Sequence, residues 1–333
     1  MQIRVLNETD IKKVMDMKAA IEATKDALKA YSSGGADIPL RANLDVAEHK
    51  GQSLYMYGYV PSQSALGVKI VSVYPDNIAK NLTSVPATMV TLDSETGQVN
   101  SLMDGTYLTR LRTGAISGAA TDELSNPDSK IFALFGTGGQ AETQLEAVLN
   151  VRDIKEVRVF DISKDRAEDF AKRMKEKFEA NFDFEIMAVG STDQAIDNAD
   201  IITAVTTAKD PVFDGRKVKK GCHINGVGSY TPEMSEIPEY IITHADKIYV
   251  DTFDGAVSES GDFIKPIKNG NFDADEDITG ELGEKLLGKI AGRENTDEIT
   301  FFETTGSAVL DLVVGQKILE EAEDKNIGQI IEM

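Results

Sequence analysis

A glycine-rich turn between an apolar run and a helix-like run is the first chemical feature of the sequence. The run KIFALF (130–135) leads directly into Gly136-Thr137-Gly138-Gly139-Gln140-Ala141, and AETQLEAVLNV follows. In such a G-x-G-x-x-A loop, the first glycine permits a tight turn and the second lets the backbone approach a pyrophosphate. The N-terminus of the helix then holds the diphosphate. The small Ala141 lets the helix and the strand pack closely, and the pattern therefore predicts a dinucleotide site in this loop, with Gly136, Gly138 and Ala141 at the motif positions.

An acid at a matching distance indicates which dinucleotide is bound. The next apolar run ends in VRVFDIS and places Asp161 twenty residues after Ala141 (161 − 141 = 20). The acid that binds the ribose 2′-hydroxyl is expected about 20 residues beyond the loop. A carboxylate there repels a 2′-phosphate and so favours NAD(H) over NADP(H), although Lys164 and Arg166 lie just beyond it. A glycine turn alone also occurs in unrelated α/β proteins, but here the strand, the helix and the acid agree.

Three basic residues in the first part of the chain form a second candidate site. In ALGVKIVSVYP, alternation places Lys69 on the same strand face as Val71 and Val73. A lysine on an apolar face is costly unless an anion satisfies it. Arg112 lies in a helix rich in small residues, and Arg41 lies in an extended segment. We predict that these cations converge on a substrate carboxylate. Surface solvation, or structural ion pairs with the abundant acids, is the alternative.

Composition restricts the partners of the protein. The 333 residues include 35 Lys and Arg against 56 Asp and Glu, which gives a formal net charge of −21. Such an acidic surface disfavours nucleic acid and anionic membranes. Cys222 is the only cysteine, which suits a reducing compartment, and three histidines without a cluster predict no metal site. Because there is no signal-like apolar segment, a cytoplasmic location is expected.

The elements that must position these residues change in character along the chain. Residues 10–31 have helical periodicity, and short β-rich runs with a hairpin near residues 95–97 then predict an antiparallel, meander-like sheet. A helix rich in small residues follows at 106–124. The final helix, SAVLDLVVGQKILEEAEDKN, is expected to return to this first part. We therefore predict a discontinuous α+β domain formed by residues 1–124 and 308–333.

The middle of the chain has the pattern of a parallel sheet. Short apolar, β-branched runs recur every 20–30 residues with helical segments between several of them. This alternation is typical of an α/β fold, and together with the glycine loop it predicts a doubly wound Rossmann domain at 125–307. Two later strand ends, around Thr206 and Val227, should reach the same sheet edge as the loop and meet the cofactor.

These motifs, in this order, resemble the ornithine cyclodeaminase/mu-crystallin family. The resemblance is carried by IPLRANLD, GVKIVSVYPDN, MDGTYLTRLRTGAISGAA, LFGTGGQAETQLEA and HINGVGSYTPEMSEI, and it extends through nearly the whole chain. It implies a Rossmann domain plus a substrate domain that forms a homodimer. It also implies that Arg41, Lys69 and Arg112 grip the substrate carboxylate. By the same resemblance, Thr113 lies near the cofactor phosphates and Val227 near the nicotinamide. The remaining cofactor positions are in the glycine loop and after the next strand: Gly138, Gly139, Gln140, Ala141 and Asp161.

One departure from the family pattern bears on the reaction. Ornithine cyclodeaminases and alanine dehydrogenases of the family carry an aspartate in a G-[GA]-D-x-P-G-K block, where this chain has Tyr230. A tyrosine with a pKa near 10 is a poor general base at pH 7, although it can donate a proton. Members with such a block are similar to imine reductases, such as those that reduce Δ1-pyrroline-2-carboxylate to proline. The resemblance thus implies an NAD(H)-dependent reductase of a small cyclic 2-imino acid, with Lys69 and Tyr230 as the candidate catalytic residues.

Other functions stay open at the level of sequence. They are an ornithine cyclodeaminase with bound NAD+, a dehydrogenase of alanine or another small amino acid, and a non-catalytic binding protein of the mu-crystallin kind. The presence of Arg41, Lys69 and Arg112 argues against the last of these functions, because a protein that only binds an apolar ligand does not need three cations. Glu233, Glu236 and Asp311 remain open as proton donors or relays, with Asp311 expected to be a favourable charge at the start of the last helix.

Overall fold

The computed structural model describes residues 1–333. The strands are β1 (Gln2–Leu6), β2 (Ala42–Val46), β3 (Gly51–Val60), β4 (Ala65–Val73), β5 (Ala87–Leu92), β6 (Val99–Asp104), β7 (Ile131–Phe135), β8 (Glu156–Phe160), β9 (Glu185–Ala188), β10 (Ile201–Ala204), β11 (His223–Gly226), β12 (Lys247–Val250), β13 (Gly280–Glu281), β14 (Thr300–Glu303) and β15 (Gln329–Glu332). The helices are α1 (Glu8–Val14), α2 (Met17–Ser32), α3 (Gly105–Leu124), α4 (Ala141–Val151), α5 (Lys164–Phe178), α6 (Thr192–Ile196), α7 (Glu239–His244), α8 (Phe253–Glu259), α9 (Gly261–Asn269), α10 (Ala274–Asp277), α11 (Leu282–Leu286) and α12 (Ala308–Asp324).

The chain divides into two compact units. Unit 1 comprises Met1–Arg112 and Ser307–Met333, and unit 2 comprises Thr113–Gly306. The division therefore falls inside α3, whereas the sequence pattern predicts it after this helix, between residues 124 and 125. The second half of α3 belongs with unit 2 because a Cβ on Gly114 would lie 2.4 Å from the carbonyl oxygen of Thr143 in α4. This close approach packs the two helices together within unit 2.

Unit 1 is built on a seven-stranded sheet with the order β15-β1-β6-β5-β4-β3-β2. Strands β2 to β6 form the antiparallel meander that the sequence predicts, and β5 and β6 are joined by the expected hairpin. The predicted helix at 10–31 is instead two helices. Met15 is extended, and the side chain of Asp16 accepts a hydrogen bond from the backbone N–H of Ala19, 2.8 Å away, which starts α2 anew.

The C-terminal helix lies across the middle of this sheet. Helix α12 contacts β3, β4 and β5 on one face and also packs against α2. Gly58 and Gly67 are paired across β3 and β4, and a Cβ on either glycine would approach the Leu312 side chain to 3.3 Å. Two facing positions without side chains therefore let α12 approach the strand that carries Lys69.

Unit 2 is built on an eight-stranded parallel sheet with the order β13-β12-β14-β11-β10-β7-β8-β9. Its part β9-β8-β7-β10-β11 has the 3-2-1-4-5 order of a doubly wound sheet, which confirms the predicted α/β Rossmann class. The order reverses between β7 and β10, where ligands bind in such sheets. Apolar clusters fill both faces of the sheet. No helix of the chain combines the length and the apolar character needed to cross a membrane.

Candidate functional site

A buried cluster of charges lies in unit 1. The Lys69 ammonium donates to Oδ2 of Asp311 at 2.7 Å, and Nε of Arg112 donates to Oδ1 of the same carboxylate at 3.0 Å. The exposed fractions of these side chains are 1% for Lys69, 7% for Arg112 and 0% for Asp311. Two predicted substrate-binding cations therefore share one internal carboxylate.

The local structure explains why this lysine is buried. Lys69 lies in the middle of β4, and its cross-strand neighbours are Met56 on β3 and Met89 on β5, both of them buried. Burial in such a row costs the ammonium its solvation, so a buried anion must stabilise it. Asp311 supplies that anion from the first turn of α12.

The two cations keep donors that Asp311 does not use. Arg112 contacts Asp311 through Nε, and no other hydrogen bond of its guanidinium is present, so both terminal amino groups can take a second carboxylate. The Lys69 ammonium has three N–H donors and gives one to Asp311. Lys69 and Arg112 therefore do form structural ion pairs with Asp311, which is the alternative raised by the sequence, but their remaining N–H donors can still bind a ligand.

The position of Lys69 also makes it titratable near neutral pH. Burial, followed by the positive charge of Arg112, lowers the pKa of Lys69 to about 7, and the charge of Arg41 acts in the same direction. The ion pair with Asp311 opposes this shift. Arg41 is half-buried just before β2 and therefore affects the same ammonium electrostatically. A lysine of this kind can hold or release a proton at physiological pH.

The sequence predicts that Asp311 is a favourable negative charge at the start of the last helix, and this is only part of its role. It does lie in the first turn of α12, but it is fully buried and is the counter-ion of the cation cluster. A signal for this role exists in the sequence. Asp311 is the single acid in the apolar stretch AVLDLVVG, where an isolated carboxylate requires buried cations as partners.

The glycine loop of unit 2 has the geometry of a phosphate cradle. Gly136 has φ +95, and a Cβ there would lie 2.8 Å from the Val205 carbonyl oxygen, so only glycine fits. The ideal Cβ positions of Gly138 and Gly139 meet no atom within 4 Å, which leaves the backbone open to an approaching ligand. Helix α4 starts directly after the loop, and the side chain of Gln140 does not cap it. The first N–H groups of α4 therefore have no side-chain acceptor from its N-cap residue and can donate to a diphosphate.

Asp161 lies beside this loop at the end of β8. Its Oδ2 accepts from the Thr137 hydroxyl at 2.6 Å, and its Oδ1 accepts from the Ser163 N–H at 2.9 Å and from Nη2 of Arg166 at 2.6 Å. Although burial acts in the opposite direction, these hydrogen bonds hold the pKa of Asp161 below its ordinary value. The carboxylate is thus an anion at neutral pH, as a ribose-binding acid must be.

A cleft of about 380 Å³ connects the loop, the acid and the end of β10. It is lined by Gly136, Thr137, Gly138, Asp161, Arg166 and Thr206, among others. The open glycine backbone, the uncapped helix and the anionic acid together fit a dinucleotide with a free ribose 2′-hydroxyl.

The two remaining strand ends on this edge are tied together by a buried acid. Glu236 is 1% exposed, and its Oε2 accepts from the backbone N–H of Thr206 at 2.7 Å and from the Thr206 hydroxyl at 2.8 Å. Its Oε1 accepts from the backbone N–H of Val227 at 3.1 Å and from that of Gly228. Burial and the charge of Asp262 raise the pKa of Glu236 to about 7, while the hydrogen bonds from Thr206 and Gly228 act in the opposite direction. The sequence leaves Glu236 open as a proton donor or relay, and in the structure both of its oxygens are acceptors.

The other predicted residues occupy distinct places. Tyr230 is half-buried in the loop after β11, and Glu233 in the same loop is exposed. Ala141 is buried at the start of α4. Thr113 lies in α3, where its carbonyl oxygen accepts from the side-chain amide of Gln144 in α4 at 2.9 Å. Thr113 is therefore next to the helix that follows the glycine loop, while the roles of Thr113 and Tyr230 stay predictions.

Comparison with known proteins identifies the family to which the chain belongs. The family model described as the ornithine cyclodeaminase/mu-crystallin family matches residues 1–326. The chain is 36% identical over 328 residues to a Delta(1)-pyrroline-2-carboxylate reductase of Bacillus cereus, covering 98% of this chain and 99% of the relative.

Two solved structures are similar over the whole chain. One is the Delta(1)-pyrroline-2-carboxylate reductase of Thermococcus litoralis in complex with NADH and L-proline, with a TM-score of 0.93, 39% identity, and coverage of 98% of this chain and 99% of that one. The other is an archaeal alanine dehydrogenase dimer with bound NAD, with a TM-score of 0.90, 31% identity and coverage of 100% of both chains.

Proposed function

This chain belongs to the ornithine cyclodeaminase/mu-crystallin family, and we propose that within it the chain is an NADH-dependent reductase of a small cyclic 2-imino acid. The substrate is of the Δ1-pyrroline-2-carboxylate type, and the product is then proline. The observation that carries the proposal is the pair of buried cations, Lys69 and Arg112, whose unused donors suit a small carboxylate. Full-length similarity to two Delta(1)-pyrroline-2-carboxylate reductases supports the same substrate.

The cation cluster of unit 1 anchors the substrate. The terminal amino groups of Arg112 bind its carboxylate, with Arg41 as a second arginine, because a guanidinium matches a carboxylate in two parallel hydrogen bonds. Asp311 keeps Lys69 aligned and balances the excess positive charge. Fixing the carboxylate in this way also fixes the adjacent C=N carbon, which is the atom to be reduced.

Lys69 is the proposed proton donor. With a pKa of about 7, its ammonium form can transfer one proton to the imine nitrogen, and the resulting iminium carbon then accepts a hydride. The hydride comes from NADH bound in the cleft of unit 2. Lys69 is left neutral and recovers its proton from solvent. The atoms balance: one imine, one proton and one hydride give one secondary amine.

The cofactor is held by unit 2. The backbone of Gly136, Gly138 and Gly139 receives the diphosphate, and Asp161 accepts the ribose hydroxyl. Thr206 lines the cofactor cleft, and we assign Thr206 and Val227, which follow the ends of the neighbouring strands β10 and β11, to the nicotinamide. NADP(H) is disfavoured because Asp161 is anionic, although the exposed Arg166 lies beside it.

Cyclodeaminase chemistry is disfavoured by Tyr230. This residue stands where ornithine cyclodeaminases have an aspartate, and a neutral phenol cannot serve as the base at pH 7. Amino-acid dehydrogenase activity is the second candidate, because an archaeal alanine dehydrogenase has a similar structure. We place the protein in the cytoplasm, where its single buried thiol, Cys222, suits a reducing environment.

The test is a substrate panel with purified protein. NADH oxidation is followed with Δ1-pyrroline-2-carboxylate, with its six-membered homologue, and with pyruvate plus ammonia, and ornithine is supplied separately with NAD+. The proposal expects rapid oxidation with a cyclic imine. It fails if neither imine is reduced, and release of ammonia and proline from ornithine without net cofactor change would indicate a cyclodeaminase instead.

We also propose a homodimer that is formed through the sheet of unit 1. Helix α12 covers one face, while the other face carries a cross-strand row of Tyr57, Val68, Val90 and Leu102. Tyr57 is 43% exposed, and Ile70 on the same face is 38% exposed. An apolar sheet face of this kind requires a cover, and the similar alanine dehydrogenase is a dimer.

Light scattering tests the dimer. The wild type should have twice the chain mass, and Tyr57→Glu should shift the mass to that of a monomer, whereas a matched change on exposed Tyr240 of unit 2 should not. A monomeric wild type would contradict the dimer without affecting the proposed reaction. In functional terms, unit 1 is then the substrate and dimer domain, and unit 2 is the cofactor domain.

A further inference from the structure

We propose that Glu236 is a positioning residue, which fixes the nicotinamide end of the cofactor cleft by clamping the carboxyl ends of β10 and β11. This inference rests on the proposed use of NADH. It assigns to Glu236 the role of a fixed hydrogen-bond acceptor and not a role in proton transfer.

The clamp joins two strands that lie side by side. Strands β10 and β11 are parallel neighbours, with Ala204 opposite Gly226. Thr206 follows the end of β10, and Val227 and Gly228 follow the end of β11. Glu236 joins these ends, one carboxylate oxygen to each strand. It therefore fixes their separation on the side of the sheet where the nicotinamide of a doubly wound dinucleotide domain lies.

The packing at this point leaves little freedom. A Cβ on Gly228 would lie 2.0 Å from the Thr206 carbonyl oxygen and 2.7 Å from Oε2 of Glu236. The two loops are thus in contact through backbone atoms, and the carboxylate fills the space beneath them. Because the close approach is backbone to backbone and Thr206 lines the cleft, a change at Glu236 that moves these loops also moves one wall of the cleft.

The donors around Glu236 require a carboxylate. Three backbone N–H groups and one hydroxyl point at its two oxygens. A carboxylate is an acceptor at both oxygens, whereas an amide presents N–H donors at one of the two positions. Glutamine has nearly the same shape but would place an N–H group against backbone N–H groups. This substitution therefore tests charge and hydrogen-bond direction without creating a cavity.

Glu236 is itself held in place by a second buried acid. Oδ1 of Asp262 accepts from the backbone N–H groups of Glu236 and Ile237, at 2.9 Å and 3.0 Å, and from the Ser235 hydroxyl at 2.8 Å. Asp262 lies in the first turn of α9. The segment that carries Glu236 is therefore anchored on both sides of its side chain, which gives the clamp a rigid base.

A third carboxyl group, Glu303 at the end of β14, extends the network. Its Oε1 accepts from the Ser260 hydroxyl at 2.7 Å, and its Oε2 is buried without a partner. Burial, together with the charge of Asp262, raises the pKa of Glu303 well above its ordinary value. Burial and the charge of Asp262 also raise the pKa of Glu236, to about 7, but only Glu236 has backbone N–H donors at both of its oxygens, and these donors favour its charged form.

The experiment compares ligands with and without the nicotinamide. NADH contains that ring, whereas ADP-ribose shares the diphosphate and adenosine contacts but lacks it. Affinities for both are measured without substrate, on the full-length protein, for Glu236→Gln and for the control Glu233→Gln, an exposed glutamate in the same loop. Binding without substrate keeps this test separate from the identity of the imine.

The expected result is selective. For Glu236→Gln, ADP-ribose binding should remain within about twofold of wild type, while NADH binding weakens about 10-fold and turnover falls about 100-fold, the scale of a misplaced reacting group. Glu233→Gln should change none of these quantities. Equal weakening of both ligands, or no effect on either, would overturn the proposal.

A second variant covers failure to fold. Glu236→Asp keeps the anion but shortens the side chain by one methylene, so it should fold and show the same selective loss of NADH binding to a smaller degree. If Glu236→Asp lost both ligands equally, Glu236 would be merely structural. If the wild type bound neither ligand, the proposed cofactor would be wrong and the clamp would fail with it.

Discussion

A buried carboxylate is the central hydrogen-bond acceptor at the candidate site of each unit, but its partners differ between the two units. Asp311 in unit 1 is held by two cations, Lys69 and Arg112, whereas Glu236 in unit 2 is held by backbone N–H groups and one hydroxyl. The cations retain free donors and can accept a second carboxylate, while the strand-end N–H groups have fixed directions. The comparison indicates that unit 1 is arranged to respond to a charged ligand and that unit 2 is arranged to keep its shape.

The largest expected effect comes from removing the titratable cation. Lys69→Met should lower turnover by about 10²- to 10⁴-fold, the usual contribution of a positioned acid, because the imine loses its proton donor. NADH binding should not change, because the cofactor cleft of unit 2 is intact. Steady-state kinetics and NADH titration of this variant and of the exposed control Lys80→Met measure both quantities. Normal turnover in Lys69→Met would remove unit 1 from the chemistry.

A smaller effect is expected when the counter-ion is neutralised. Asp311 raises the pKa of Lys69, so Asp311→Asn should lower that pKa further. Lys69 acts in its protonated form, so activity falls as pH rises through its pKa, and in Asp311→Asn this fall should move to lower pH by roughly one to three units. The charge of Arg41 lowers the pKa of Lys69, so removing it should raise that pKa and move the fall in activity to higher pH. pH profiles of kcat/KM for the two variants provide the measurement, and an alkaline limb that stays in place in both would contradict the role of Lys69.

The smallest effect is expected at Tyr230. Tyr230→Phe should lower kcat about fivefold, as expected for the loss of one neutral hydrogen bond. Kinetics of this variant show which unit supplies the proton. If Tyr230→Phe lost as much turnover as Lys69→Met, Tyr230 would be the proton donor. The titratable group would then belong to unit 2 and not to unit 1, contrary to the comparison above.

The parts that the sequence predicts well depend on local patterns. The glycine loop, the helix after it and Asp161 are set by spacing within one βαβ unit, and the structure has them as expected. Alternating apolar positions likewise predict that Lys69 shares an inward face with Val71, and both are buried. Such features need only short-range geometry.

The parts that the sequence missed depend on distant contacts. Lys69 and Asp311 are 242 positions apart, and their pairing requires α12 to settle over two glycines of the sheet. Thr206 and Glu236 are 30 positions apart, and only the parallel order of the strands brings them together. The division between the units also falls inside α3, where a continuous helical pattern gives no sign of a boundary.

The most direct test of the central claim follows the hydride. Purified protein is incubated with Δ1-pyrroline-2-carboxylate and NADH in which both hydrogens at the nicotinamide C4 are deuterium, and the product is analysed by mass spectrometry. The account predicts proline with one deuterium on the carbon that bears the carboxylate. Absence of proline, or proline without deuterium at that carbon, would contradict it.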